Sequence, residues 1–358
     1  MEYNANQVPK KRLLSLQLDP ALFEPATDEE KRQHEQMRES TTFFRDGMRK
    51  LFKNPLAIGS LCALLLIVLI ITFAPRICPY GYEYMVTIDG VRDISAKNMK
   101  PGEFSELEQQ KIAQGEKIFP HIFGTDELCR DYFIRVIYGT RVSLLVGLFA
   151  SLIVLVIGLL YGSISGYAGG RTDLIMMRVV DIIYSLPDML MIILLSVVLD
   201  AVLGTALSGT VFEKIGVNMI SLFIVFGLLY WVGMARLVRG QILLIKKSEY
   251  VLAARALGAK PARIIRKHVL PNCMSVIFIS TALQIPTAIF TESFLSFVGL
   301  GVQAPMPSLG SLANAARGGL QSYPFKLVFP ALTICLIVLS FNLLGDGLRD
   351  AFDPKLRR

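Results

Sequence analysis

Apolar windows of about 20 residues recur along this chain, each long enough to cross roughly 30 Å of hydrocarbon as an α-helix. The clearest runs from Ala57 to Ala74, carries no charge and is closed by Pro75. Further windows span Val142 to Ala168, Leu174 to Leu203, Val217 to Ala235, Asn272 to Thr291 and Leu327 to Gly345. With 53% apolar and only 18% charged residues, no water-soluble globular reading competes. The expected fold class is an all-α polytopic membrane protein with six transmembrane helices.

Charge sets the orientation. The net charge of +8 collects at the ends of the windows, as the positive-inside rule requires, and forms no solvated domain that would favour nucleic acid. Arg236, Arg239, Lys246 and Lys247 mark one cytoplasmic boundary, and both termini are expected in the cytoplasm. Residues 1–54 read as a cytoplasmic tail that ends in an amphipathic interfacial helix, with Phe43, Phe44, Met48, Leu51 and Phe52 at helical spacing. The first span occupies 55–75. Residues 76–141 form an extracytoplasmic segment, long enough to be translocated despite its positive charges. There Cys78 and Cys129 either form a disulfide or stay as two free thiols. His121, Asp126 and Cys129 do not have the spacing of a known metal ligand set. Residues 142–350 hold the remaining five spans, and 351–358 form a cytoplasmic tail.

Two features carry functional information. Gly158, Gly162 and Gly166 recur every fourth residue in the second span, a stripe that lets another helix approach closely. Ser248 to Pro271 is a cationic interruption between two spans, read as two short helices joined by Gly258-Ala259-Lys260. Ser248 is its expected N-cap, Glu249 suits the first turn, Gly258 stops the first helix, and the second ends before Pro271. A helix pair tethered at both ends to membrane spans does not lie along a duplex, so it reads as a docking element for a protein partner.

Catalytic signatures are absent. The sequence contains no phosphate-binding G-x-x-x-x-G-K-[ST] loop, nucleophile elbow or H-E-x-x-H run. Asp181, Asp188 and Glu292 are charges inside spans, which read either as translocation-pathway residues or as partners in helix packing. Arg178 is the expected partner of Asp181, three residues on. On the residues alone, an ATP-independent secondary transporter relying on Asp188 and a structural membrane anchor both remain open.

Ala253, Ala254, Gly258, Leu270 and Pro271 resemble the "EAA" loop of the membrane subunits of bacterial ABC importers, with Leu252 at the Glu position and His268 at the Ile position. The run from Arg45, R-D-G-M-R-K-L-F-K-N-P-L-A, is similar to the C-type permease subunits of the dipeptide, oligopeptide and nickel branch. So is Gly124-Thr125-Asp126 with Arg130-Asp131, where Cys129 replaces a glycine. Glu292 to Gly301 and Phe341 to Asp350 agree as well.

This resemblance implies a permease core at 142–350 whose loop 241–271 couples to ATPases through Glu249, Ala253, Ala254, Gly258, Leu270 and Pro271. It implies a non-catalytic subunit of an importer for di- or oligopeptides in the bacterial plasma (inner) membrane, with nickel or another small solute as the alternative cargo. The implied partners are a second permease subunit, two ATPase subunits or domains, an extracytoplasmic substrate-binding protein, peptide and membrane lipid, with no nucleic acid. No cofactor or metal is expected in this chain; ATP and Mg would sit on the ATPases.

Overall fold

The structure, a computed structural model, describes residues 43–88, 91–206, 216–302 and 306–352. The expected N-terminal tail before residue 43, the loop tip at 207–215 and the basic end at 353–358 lie outside the described residues.

Six helices are long and apolar enough to cross a membrane: Pro55–Ile77, Tyr132–Ala168, Asp188–Ala206, Val217–Ile245, Pro261–Val298 and Phe325–Phe352. Their boundaries depart from hydropathy wherever a polar residue finds a local partner. Helix α1, Phe43–Leu51, precedes α2, Pro55–Ile77, whose N-terminus is capped by Asn54 with Pro55 in the first turn. The apolar side of α1 does not simply face lipid: Met48 and Leu51 pack on Ala57 of α2 and on Ala351 and Phe352 near the chain's end.

The segment after α2 carries the β-structure of the described residues, a two-stranded antiparallel pair of β1, Thr87–Ile88, and β2, Val91–Arg92, with two isolated bridges. Helix α3, Glu106–Ala113, opens with a reciprocal Ser105/Glu108 capping box. Helix α4, Tyr132–Ala168, starts well before the expected Val142, because Asp131 accepts the Ile134 N–H and begins the helix among polar residues.

The expected third span is broken in two. Pro187 cannot donate to a helical ladder, so α5, Gly170–Tyr184, ends there, and α6, Asp188–Ala206, restarts with a carboxylate in its first turn. Helix α7, Val217–Val225, passes through a π-helical turn at Phe226–Tyr230 into α8, Trp231–Ile245. Helices α9, Glu249–Ala256, and α10, Pro261–Ile264, lead through a second π turn, Ile265–Val269, into α11, Leu270–Val298. Helices α12, Leu309–Ala315, and α13, Phe325–Phe352, complete the chain.

Helix α4 is the central element, lying against α2, α5, α8 and α11. Its glycine stripe meets α8: a Cβ on Gly162 would stand 2.5 Å from the Ala235 carbonyl oxygen, and one on Gly158 would stand 2.6 Å from Met234. Two further contacts of α4 answer prolines in its neighbours. Pro75 in α2 leaves the Ile71 carbonyl without its helical donor, and Arg141 Nη2 donates to that oxygen at 2.7 Å. Pro330 in α13 likewise frees the Lys326 carbonyl, and the Tyr132 hydroxyl donates to it at 2.5 Å.

This pairing predicts a thermodynamic cycle. Tyr132→Phe should destabilise the detergent-solubilised protein by about 1 kcal/mol by orphaning a buried carbonyl. In a Pro330→Ala background the alanine N–H refills the helical bond, so the same change should cost clearly less. Equal losses in both backgrounds, measured by denaturant titration, would show that the hydroxyl does not serve the proline.

Candidate functional site

The helix pair after α8 is anchored from below by apolar burial and from its flank by charge. Lys246 donates to the Gly166 and Tyr167 carbonyls at 2.9 and 3.4 Å, which caps the C-terminal turn of α4. Ser248 sits at the N-cap position, but its hydroxyl donates back to the Ile245 carbonyl at 2.6 Å instead of capping α9. Val251 is fully buried and Ala254 partly so, both against a cluster that includes Val238, Ile242, Ile264 and Val269.

The opposite face of α9 is apolar and open. Leu252 is 49% exposed and Leu257 88%, with Ala253 and Ala256 exposed beside them. Gly258 then turns the chain at φ +77°, a conformation costly for other residues, while nothing lies within 4 Å of where its Cβ would be. The backbone requirement is therefore conformational and not steric.

Contrary to the sequence expectation, the second helix does not end before Pro271. The π turn at Ile265–Val269 loosens the ladder where the proline ring would otherwise clash, and the chain continues into α11 as one span, Pro261–Val298. Asn272 Nδ2 donates to the His268 carbonyl at 2.7 Å and to the Tyr250 hydroxyl at 3.1 Å, tying α9 to α11. Of the six expected coupling residues, Glu249, Ala253, Gly258 and Pro271 are exposed, while Ala254 and Leu270 are partly buried. Leu252 and Leu257 were not among them. Their signal was an apolar pair five residues apart on a helix whose other apolar face is already used.

The carboxylates of these helices separate into distinct roles. Asp181 pairs at 2.8 Å with Arg236 of α8, not with Arg178, because α5 runs beside α8. The Arg236 guanidinium also lies 4.3 Å from the centre of the Tyr184 ring. Asp173 is gripped by Arg239 through Nε at 2.5 Å and Nη2 at 2.6 Å. That hydrogen bond, with a further one from Ser165, holds the Asp173 carboxyl below the usual range despite partial burial.

Glu292 is 0% exposed and accepts hydrogen bonds from Ser143 and Ser296, each at 2.8 Å, and from Ser293 at 3.3 Å. Ser143 in turn accepts the Leu309 N–H and Ser296 the Val302 N–H. Glu292 thus joins α4, α11 and the start of α12, which fits the packing alternative. Asp188 is exposed and borders a cavity between α5, α6 and α8.

In the polar segment, His121 is 0% exposed between Asp131, 2.7 Å from Nδ1, and Glu108, 3.1 Å from Nε2. Burial opposes its charge, yet the hydrogen bonds to Asp131 and Glu108 outweigh this and raise its pKa to about 9. Both ring nitrogens are occupied, and among the described residues no group of His, Cys, Asp or Glu could hold a metal ion. Cys78 and Cys129 are buried free thiols in separate apolar clusters, so the structure adopts the free-thiol alternative and not the disulfide.

A family model described as "Binding-protein-dependent transport system inner membrane component" matches residues 158–358, and one described as "N-terminal TM domain of oligopeptide transport permease C" matches 42–101. The oligopeptide transport system permease protein OppC of Bacillus subtilis is 41% identical over 337 residues, covering 94% of this chain and 98% of that protein. The dipeptide transport system permease protein DppC of the same organism is 42% identical over 322 residues, covering 90% and 88%. Among solved structures, a chain of the MetNI methionine ABC transporter in an inward-facing form aligns at TM-score 0.47, with 19% identity over 60% of this chain and 95% of that one.

The His121 cluster predicts a pH dependence. A raised histidine pKa contributes stability that is fully present below 6.5 and is lost as pH rises through about 9. The melting temperature of the wild-type protein should fall over that interval. His121→Gln should melt lower at pH 6 and show a much flatter profile, whereas a parallel decline in both proteins would assign the effect elsewhere.

Proposed function

Because the chain belongs to the family of binding-protein-dependent transport system inner membrane components, we propose that it forms half of the translocation pathway of an ATP-driven peptide importer. It is a multi-pass inner-membrane protein. In this reading a second permease subunit completes the pathway, two ATPase subunits or domains bind on the cytoplasmic side, and a substrate-binding protein delivers cargo from the other. ATP and Mg belong to the ATPases, and this chain contributes no catalytic residue. Peptide is favoured as cargo because relatives 38–42% identical to this chain are named for oligopeptide and dipeptide transport.

The observation that carries the coupling role is the open apolar face of α9. Leu257 is almost wholly exposed at the tip of a helix whose other side is locked by Val251 and Ala254. An exposed leucine on a rigid, short helix is suited to fill a pocket on a partner, where a single anchor contributes a large share of the affinity. Because Asn272 and Lys246 tie the helix pair to α11 and α4, a displacement imposed on α9 is passed to the spans as a nearly rigid movement.

Two measurements test this reading. Proteoliposomes containing this chain with its co-purifying partners should take up peptide only when ATP is supplied; uptake driven by a proton gradient without ATP would favour a secondary transporter. Leu257→Asp should weaken ATPase association by about tenfold or more, consistent with loss of an interface anchor. Ala253→Glu should act in the same direction with the bundle intact, while Ala254→Glu should lower folded yield because that side chain faces inward. Normal association and uptake in Leu257→Asp would remove α9 from the coupling interface.

A further inference from the structure

The cavity beside Asp188 lies where α5 breaks and α6 begins, opposite the π turn that joins α7 to α8. It is bordered by Tyr184, Leu186, Asp188, Met191, Tyr230 and Gly233, among others, and encloses about 120 Å³. Tyr230 is at the middle of the span Val217–Ile245, and Asp188 opens the span Asp188–Ala206. A broken helix, a π turn and an ionisable group meet at this cavity, a combination associated with ligand sites in membrane proteins.

The charges around it are unevenly matched. Arg239 neutralises Asp173 and Arg236 neutralises Asp181, each within 3 Å, but neither arginine is paired with Asp188. The hydrogen-bonding capacity of Tyr230 is also one-sided. Thr291 donates its hydroxyl proton to the Thr287 carbonyl at 3.0 Å, so the Tyr230 hydroxyl, 2.9 Å from Thr291 Oγ1, must be the donor of that pair. Its oxygen is left with acceptor lone pairs only. Asp188 likewise accepts and does not donate when ionised.

Resting on the importer reading above, we propose that Asp188 and Tyr230 form a subsite for the primary ammonium group of the passing peptide, its α-amino group or a lysine side chain. An ammonium group brings three donors and a positive charge to a carboxylate and a hydroxyl oxygen that both accept. The cavity is partly open, and its roughly 120 Å³ is enough to seat an aminomethyl group. The subsite thus holds one end of the cargo while the remainder stays in the wider pathway between subunits.

The test uses the complete importer in proteoliposomes, with trialanine as cargo and ATP hydrolysis stimulated by loaded binding protein measured in parallel. Asp188→Asn should lower the maximal uptake rate about tenfold or more while leaving stimulated ATP hydrolysis within about twofold of wild type, and Asp188→Glu should restore most of the uptake. Uptake by Asp188→Asn within twofold of wild type would overturn the subsite. So would a joint loss of uptake and ATP hydrolysis that Glu does not rescue, which would make Asp188 a packing residue. Failure of the wild-type complex to import trialanine with ATP would instead overturn the importer reading on which the subsite rests.

Discussion

A carbonyl oxygen left without a donor inside hydrocarbon costs several kcal/mol, and three spans among the described residues contain an internal proline that creates such an oxygen: Pro75, Pro286 and Pro330. The long helix α4 answers two of them. Arg141 reaches the Ile71 carbonyl freed by Pro75, and Tyr132 reaches the Lys326 carbonyl freed by Pro330. The first and last spans are thereby attached to the same helix at defined heights, where apolar packing alone would leave them free to slide. The glycine stripe on the lower half of α4 fixes α8 by close backbone approach, so one helix organises three of its neighbours by two different physical means.

Several carboxylates of this bundle serve position. Glu292 is enclosed by three serine hydroxyls and ties the loop before α12 to the core, and Asp173 and Asp181 are each claimed by an arginine of α8. His121 does comparable work outside the spans. It links Glu108 of the α3 capping box to Asp131, the N-cap of α4, so the polar segment is fastened to the very start of the central helix. Against that background Asp188, which pairs with no arginine among the described residues, stands apart in chemistry as well as in location.

The helix pair at 248–271 combines rigidity with an open face. Its inner side belongs to the same apolar cluster as α8 and the first part of α11, so it is an extension of the bundle and not a free loop. The departure from the family pattern at Leu252 has a physical consequence here. A leucine at that position joins Leu257 to make the outer surface more apolar, which favours desolvated packing over an ion pair at the same place. Cys129 is a second departure. It adopts φ +58°, a left-handed conformation that favours glycine, so this chain holds a side chain where the backbone suits none.

The amino-acid sequence by itself determined the number of spans, the class of fold, the glycine contact face and the place of the short helix pair between two spans, because hydropathy and helical period are properties of short windows. It also carried the family, through motifs spread over most of the chain. Tertiary structure alone decided which carboxylate is paired, which is enclosed and which is open. It also turned Ala254 inward and Leu257 outward, and carried the helix through Pro271 by way of a π turn. Those outcomes depend on residues far apart in sequence meeting across helix faces, as Asp181 meets Arg236 and Ser143 meets Glu292. No local pattern records which face of one helix will lie against which face of another.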